Sequence, residues 1–220
     1  MKTTLCLVGI MLFMNYSRAQ KASLGVITGA TLASYKVTAN DVSMTSDSKT
    51  GFNAGLVLSI PISKYVSFRP ELKYVQKGGK VSEEGASDKL ILNYLEMPLD
   101  FVFNTGNSKG VFFAGLGPSV STGISAKEKW DDGGGNKGEE KVKFGSDPND
   151  DLKAFEFGIN VLAGYQFACG FFVSANYNTG LSNIAPGDVG DNTKFHNRFF
   201  GLNIGFTFKS KPEPAAATVN

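Results

Sequence analysis

The side chains able to do chemistry are few, and most lack the neighbours that chemistry needs. A single histidine, His196, stands beside Asn197 and Arg198. Hydrolases and acyltransferases use histidine as general base against a held nucleophile, but no G-x-S-x-G turn accompanies it, so it reads as a rim residue. Cys169, in Ala168-Cys169-Gly170, has no second thiol, histidine or basic neighbour to activate it. "GLGPSV" from Gly115 lacks the following helix of a phosphate-binding loop. The stretch 127–151, "KEKWDDGGGNKGEEKVKFGSDPNDD", gathers Asp131, Asp132, Glu139, Glu140, Asp147, Asp150 and Asp151 among glycines. It lacks the D-x-[DN]-x-[DN]-G calcium spacing, and carboxylate oxygens alone do not build a cage. A solvated flexible loop is therefore expected, with no metal, no cofactor and no catalysis. Trp130 is expected in an outer aromatic girdle, and Trp130, Asp131, Asp132, Glu139, Glu140, Asp150 and Asp151 are the candidate contacts with the exterior.

These groups must be carried by strands. In "FFGLNIGFTFK", 199–209, Leu202, Ile204, Phe206 and Phe208 alternate with Gly201, Asn203, Gly205 and Thr207, which makes a strand with two unlike faces. The same period recurs over 24–35, 51–62, 66–77, 90–104, 110–125, 152–167, 171–184 and 195–208, giving eight expected strands with no helices between them. Short connections at 63–64, 105–109 and 168–170 alternate with long polar ones at 37–49, 78–89, 126–151 and 185–194. That layout is an up-and-down barrel with periplasmic turns below and surface loops above. Pro61 can close the second strand; Pro70, Pro98 and Pro118 fall within strands and are expected to mark bulges, because proline cannot donate to a ladder.

Composition supports export and membrane insertion. The chain of 220 residues has 26 Gly, 18 Phe and a net charge of +2, so no nucleic-acid footprint is present. It opens with "MKTTLCLVGIMLFMNYSRAQ": Lys2, a short apolar run and Ser17-Arg18-Ala19, the pattern of a signal peptide over 1–19 cleaved after Ala19. The run is too short for a membrane anchor, which needs about 20 residues. A barrel domain over 20–208 and a polar tail over 209–220 follow. A soluble lipocalin-like carrier could share these features, but the non-apolar faces carry Gly158, Asn160, Gly164, Ser174, Asn176, Asn178 and Asn203, small residues suited to a crowded lumen. The opposite faces, such as Phe155, Phe157, Ile159, Val161 and Ala163, hold no charge over the length of a lipid-facing band of about 25 Å. The apolar side is thus expected to meet lipid. Eight strands close on a lumen that side chains can fill.

Inside that lumen the alternation places charges. On the third strand Phe68, Pro70, Leu72 and Tyr74 would face lipid, turning Arg69, Glu71 and Lys73 inward. On the fourth, Leu95, Met97, Leu99 and Phe101 face out, turning Tyr94, Glu96 and Asp100 inward. One antiparallel register sets Arg69 opposite Asp100 and Lys73 opposite Glu96, with Cβ atoms about 5 Å apart.

The segments "RPELKYVQKGGK" (69–80), "YLEMPLDF" (94–101), "GLGP" (115–118), "YNTGLSNI" (177–184) and "LNIGFTF" (202–208), taken in order, resemble the PorT-like family of outer-membrane β-barrel domain proteins. The resemblance implies a small exported barrel. It also raises a place in an envelope protein-secretion machinery, which a shared scaffold does not by itself transfer. The expectation is a non-enzymatic outer-membrane barrel with a structural or surface-interaction role. Its surroundings would be outer-membrane lipid and envelope protein partners, with no small-molecule substrate identified. A secretion subunit, a narrow channel and a soluble carrier are the alternatives.

Overall fold

A computed structural model of the chain describes residues 22–83, 85–107, 109–145, 150–185 and 193–208. The expected leader and the tail 209–220 lie outside the described residues. The strands are β1 (Ser23–Ala39), β2 (Val42–Thr45), β3 (Lys49–Pro61), β4 (Val66–Glu83), β5 (Ala86–Asn107), β6 (Gly110–Asp131), β7 (Lys137–Val142), β8 (Phe144–Gly145), β9 (Leu152–Lys153), β10 (Phe155–Phe167), β11 (Phe171–Gly180) and β12 (Lys194–Thr207). Antiparallel pairing runs β1, β3, β4, β5, β6, then from β6 to β10, β11, β12 and back to β1. The ring leaves these eight long strands no free edge along their shared length, as hydrocarbon requires of backbone amides. β2 adds to β1, β7 adds to β6, and β8 with β9 forms a two-residue parallel pair.

The faces divide as the alternation implies. Leu202 and Ile204 are 58% and 51% exposed while Asn203 between them is 5% exposed. Leu72, Leu95, Met97 and Phe101 point out, and Arg69, Glu71, Lys73, Tyr94, Glu96 and Asp100 are buried. The apolar side is the outside of the ring and the polar side its filled interior.

Three expected loops prove to be strand. The 78–89 connection is a ladder in which Lys80 pairs Lys89 and Glu83 pairs Ala86. In 126–151, β6 continues to Asp131 and returns as β7, with Lys129 opposite Glu139 and Asp131 opposite Lys137. Residues 37–49 hold β2, reached through Asn40 and Asp41, both at positive φ (47° and 64°), the backbone of a tight hairpin. Polar composition suggested loops, but backbone ladders with cross-strand ion pairs such as Lys129–Glu139 and Asp131–Lys137 stabilise a ribbon outside lipid as well. Two expected strands are shorter: Leu152 and Lys153 peel from β10 to join β8, and β11 ends at Gly180.

The prolines leave the register intact. Pro70 pairs Leu99, Pro98 pairs Ser119 and Pro118 pairs Ile159, and the one register shift of the β5–β6 ladder falls at Asn93/Tyr94. Ladder pairing is interrupted instead. Between β3 and β4 it lapses beside Pro70, between β4 and β5 beside Pro98, and between β5 and β6 beside Pro118. A missing N–H removes a bond without adding a residue, so it opens a gap and makes no bulge.

Candidate functional site

The lumen is filled in layers. Toward the tight turns Ile27, Val57, Val102, Phe113, Leu162 and Phe172 pack together. At the other end Leu92, Tyr94, Ala126, Leu152, Ile184, Ala185 and Phe195 form a second cluster, joined by Tyr35 and Phe144. Tyr35 stacks on Phe195 at 4.8 Å between ring centres, and Phe144 meets Tyr94 edge-on at 5.3 Å. The β8–β9 pair draws Phe144 and Leu152 into the mouth, where these two side chains act as a plug.

Between these layers lie the charges. The register does set Arg69 opposite Asp100 and Lys73 opposite Glu96, yet the ion pairs do not follow it. Arg69 Nε contacts Glu71 Oε1 at 3.2 Å and Lys73 Nζ contacts Glu71 Oε2 at 2.9 Å, along one strand face. The Arg69 guanidinium lies between the rings of Phe113 and Phe172, 4.8 and 4.6 Å from their centres. Glu96 pairs with Lys77 at 2.9 Å, and Lys77 also holds Glu156 at 2.9 Å. Ser121 bridges, its hydroxyl 3.2 Å from both Lys77 Nζ and Glu96 Oε2. Side chains in a closed ring reach across the lumen as readily as across a ladder, so the strand opposite is one neighbour among several.

Asp100 has a different partner. Its Oδ2 accepts from Asn160 Nδ2 at 2.9 Å; Asn160 Oδ1 accepts from Asn176, and Asn176 Oδ1 from Asn203, each at 3.0 Å. Asn203 Oδ1 accepts from Asn53 Nδ2 at 2.8 Å. This chain of amides crosses five strands and runs in one direction, ending on a carboxylate, an arrangement in which successive bonds polarise one another. Gly29 makes its last link: it pairs Asn203 on one side and Asn53 on the other, and a Cβ there would stand 2.5 Å from Asn203 Oδ1. Lys77, Glu156 and Asn53 were not among the expected residues. Lys77 continues the parity of Arg69, Glu71 and Lys73, and Glu156 sits between the outward Phe155 and Phe157, so extending each alternation would have found both.

The exterior candidates are dispersed. Asp131 pairs with Lys137 at 2.7 Å, and Glu139 with Lys127 and Lys129 at 3.0 and 2.9 Å. Asp132 is occupied by the turn: Oδ1 accepts from the amides of Gly134 and Asn136, and Oδ2 from Asn136 Nδ2. Asp151 Oδ2 accepts from the Lys143 amide, Asp150 lies against Gly145, and Glu140 is opposite Glu128. Trp130 is not in an outward girdle. It lies over Gly138, on the sheet face that carries Leu90, Ala126 and Val142 toward the mouth, because the shift at Asn93/Tyr94 adds Ile124 and exchanges the faces of β6 beyond it. His196 sits opposite Lys36 near the outer end of β12, and no group of three His, Cys, Asp or Glu among the described residues is arranged to hold a metal.

A shallow groove of about 970 Å³ opens on the outer surface over Ala114, Ala163 and Ala175, walled by Phe112, Tyr165 and Ile204. Its position on the apolar face suits lipid chains.

A family model described as outer membrane protein beta-barrel domain matches residues 17–185. No curated protein matches the chain significantly. Among solved structures, Ail of Yersinia pestis, crystallised with the heparin analogue sucrose octasulfate, is 14% identical. It covers 86% of this chain and 100% of its own, with a TM-score of 0.42. OprG of Pseudomonas aeruginosa is 14% identical over 87% and 99%, TM-score 0.43. The outer membrane enzyme PagL is 12% identical over 80% and 98%, TM-score 0.38.

Proposed function

Because the chain belongs to the outer membrane protein beta-barrel domain family, we propose that it serves the outer membrane as a non-enzymatic barrel with a structural or surface-interaction role, its lumen sealed by its own side chains. The supporting observation is the middle layer: Lys77 is 1% exposed and holds both Glu96 and Glu156, with apolar clusters above and below. Ions entering such a lumen would have to displace a buried, ion-paired network, which costs several kcal/mol per stranded charge. Conductance across planar bilayers tests this. The purified chain should insert, shown by faster gel migration unheated than boiled, yet give no channel steps; steady ion conduction would overturn the reading.

The matching motifs of strands β4, β5, β6 and β12 support a PorT-like subgroup, and with it an envelope protein as partner. Crosslinking in intact cells should then capture a discrete envelope protein. Processing after Ala19 is proposed on the leader's pattern, and the mature protein should begin at Gln20 on N-terminal sequencing.

A further inference from the structure

We propose that the outward face of the ribbon formed by the far ends of β4, β5, β6 and β7 binds the phosphate groups of lipid headgroups in the outer leaflet. Beyond the shift at Asn93/Tyr94, Lys80, Lys89 and Lys129 stand in register on adjacent strands, and Lys127 is opposite Lys141. With Lys137 they put six cations on one face, against Asp131 and Glu139 on the same four strands and Asp47 opposite Lys80. The other face of the ribbon carries Glu83, Asp88, Glu128 and Glu140 and no lysine or arginine. The outward face is thus net positive and the charge of the other face wholly acidic, a difference that random solvation of a polar ribbon would not produce.

Height relative to the membrane selects the ligand. On β4, β5 and β6 the outward face turns polar at a hydrogen-bonded row: Gln76 donates to Asn93 at 3.3 Å, and Asn93 to Ser125 at 2.9 Å. Beyond it Ile91 is the one large apolar side chain that this face carries on these strands. Lys127 is two residues beyond that row, and Lys80, Lys89 and Lys129 are four. At about 3.4 Å per residue and a tilt near 40°, their backbones lie roughly 5 and 10 Å above the hydrocarbon edge, the first within the headgroup layer of about 5–7 Å and the others just above it, from where a lysine side chain can reach down to the phosphates. The cationic face continues the lipid-facing surface, so its first neighbours are headgroups. Glu139 is shared by Lys127 and Lys129, and Lys137 is held by Asp131. Among the described residues no ion pair engages Lys80, Lys89 or Lys141, which leaves these ammonium groups for phosphate oxygens.

The test uses the unaltered protein in nanodiscs of phosphatidylcholine alone or mixed with phosphatidylglycerol, with an amine-reactive reagent read residue by residue by mass spectrometry. Lys80, Lys89 and Lys141 should label about fivefold more slowly in the phosphatidylglycerol discs, the protection expected of a lysine held at an anionic membrane surface. About 0.5 M sodium chloride, which shortens the screening length to a few ångströms, should abolish the difference. Equal rates in both discs would overturn the proposal. So would equal protection by inorganic phosphate in phosphatidylcholine discs, which would make the face a free-anion site. Heat-modifiable gel mobility, measured on the same discs, reports barrel insertion separately, so a failure to insert is not mistaken for a failure to bind.

Discussion

Lys77 has two carboxylates on one ammonium and two aromatic rings, Tyr94 and Phe199, within 4.8 and 5.6 Å. Replacing it by methionine keeps the volume and strands Glu96 and Glu156 in a dry interior, so Lys77→Met should cost roughly 3–5 kcal/mol, read as a lower urea midpoint for loss of the heat-modifiable form. Asp100→Asn should behave differently. The carboxylate is not the partner of the Arg69 guanidinium, and an amide can still accept from Asn160, so the cost should stay below about 1 kcal/mol; a loss as large as that of Lys77→Met would show that Asp100 balances charge. Alternation made Arg69, Glu71, Lys73, Glu96 and Asp100 legible as lumen residues, because parity depends on one strand alone. Which of them touch depends on closure of the ring, which brings β10 to β6 and β3 across to β12. No local pattern carries that, and the amide chain from Asn53 to Asp100 was invisible for the same reason.

At the scale of elements, the ribbon tip rests on exposed ion pairs. Hydrogen bonds from Lys129 and then Lys127 hold the Glu139 carboxyl below its ordinary range, and a hydrogen bond from Lys137 does the same for Asp131. Both groups titrate lower folded than unfolded, so their contribution is full above the ordinary carboxylate range and fades as pH falls through the lowered values. Acidification should therefore speed amide hydrogen exchange, corrected for its intrinsic pH dependence, in 127–131 and 137–141 before it affects the ring. High salt at neutral pH should produce part of the same loosening, since both pairs are open to solvent. Deleting Ile124 makes the complementary test. Without the extra residue the faces of β6 exchange beyond that point, and a cysteine at position 126, where Ala126 is 7% exposed, should move from shielded to reagent-accessible. The eight ring strands could be read from period two because lipid and lumen impose opposite chemistry on their faces. The ribbon could not, since both its faces are polar; its order comes from cross-strand pairing, and a bulge beside Gly123-Ile124-Ser125 has no signature in a sequence of that kind.

At the scale of the molecule the two ends are unlike, and the difference sets orientation. One end has the tight turns and both termini of the ring, where the Phe208 amide donates to the Leu24 carbonyl at 2.7 Å. The other has the ribbon, the plug and the hairpin to β2. Barrels of this class keep short turns in the periplasm and their long connections outside. The chain carries its own probe: Cys169 is exposed in the turn between β10 and β11, where the Gly170 amide donates to the Phe167 carbonyl at 2.9 Å. A membrane-impermeant thiol reagent should leave Cys169 unlabelled on intact cells and label it once the outer membrane is permeabilised. A cysteine placed at Gly134, at the ribbon tip, should react on intact cells without permeabilisation; in a Cys169→Ser background its signal belongs to that site alone. Gly134 suits the substitution because it lies between Gly133 and Gly135, which take the positive φ values of 72° and 105°, so the turn survives. Labelling of Cys169 on intact cells with Gly134→Cys silent would invert the barrel and place the lysine-bearing face of the ribbon at the periplasmic leaflet.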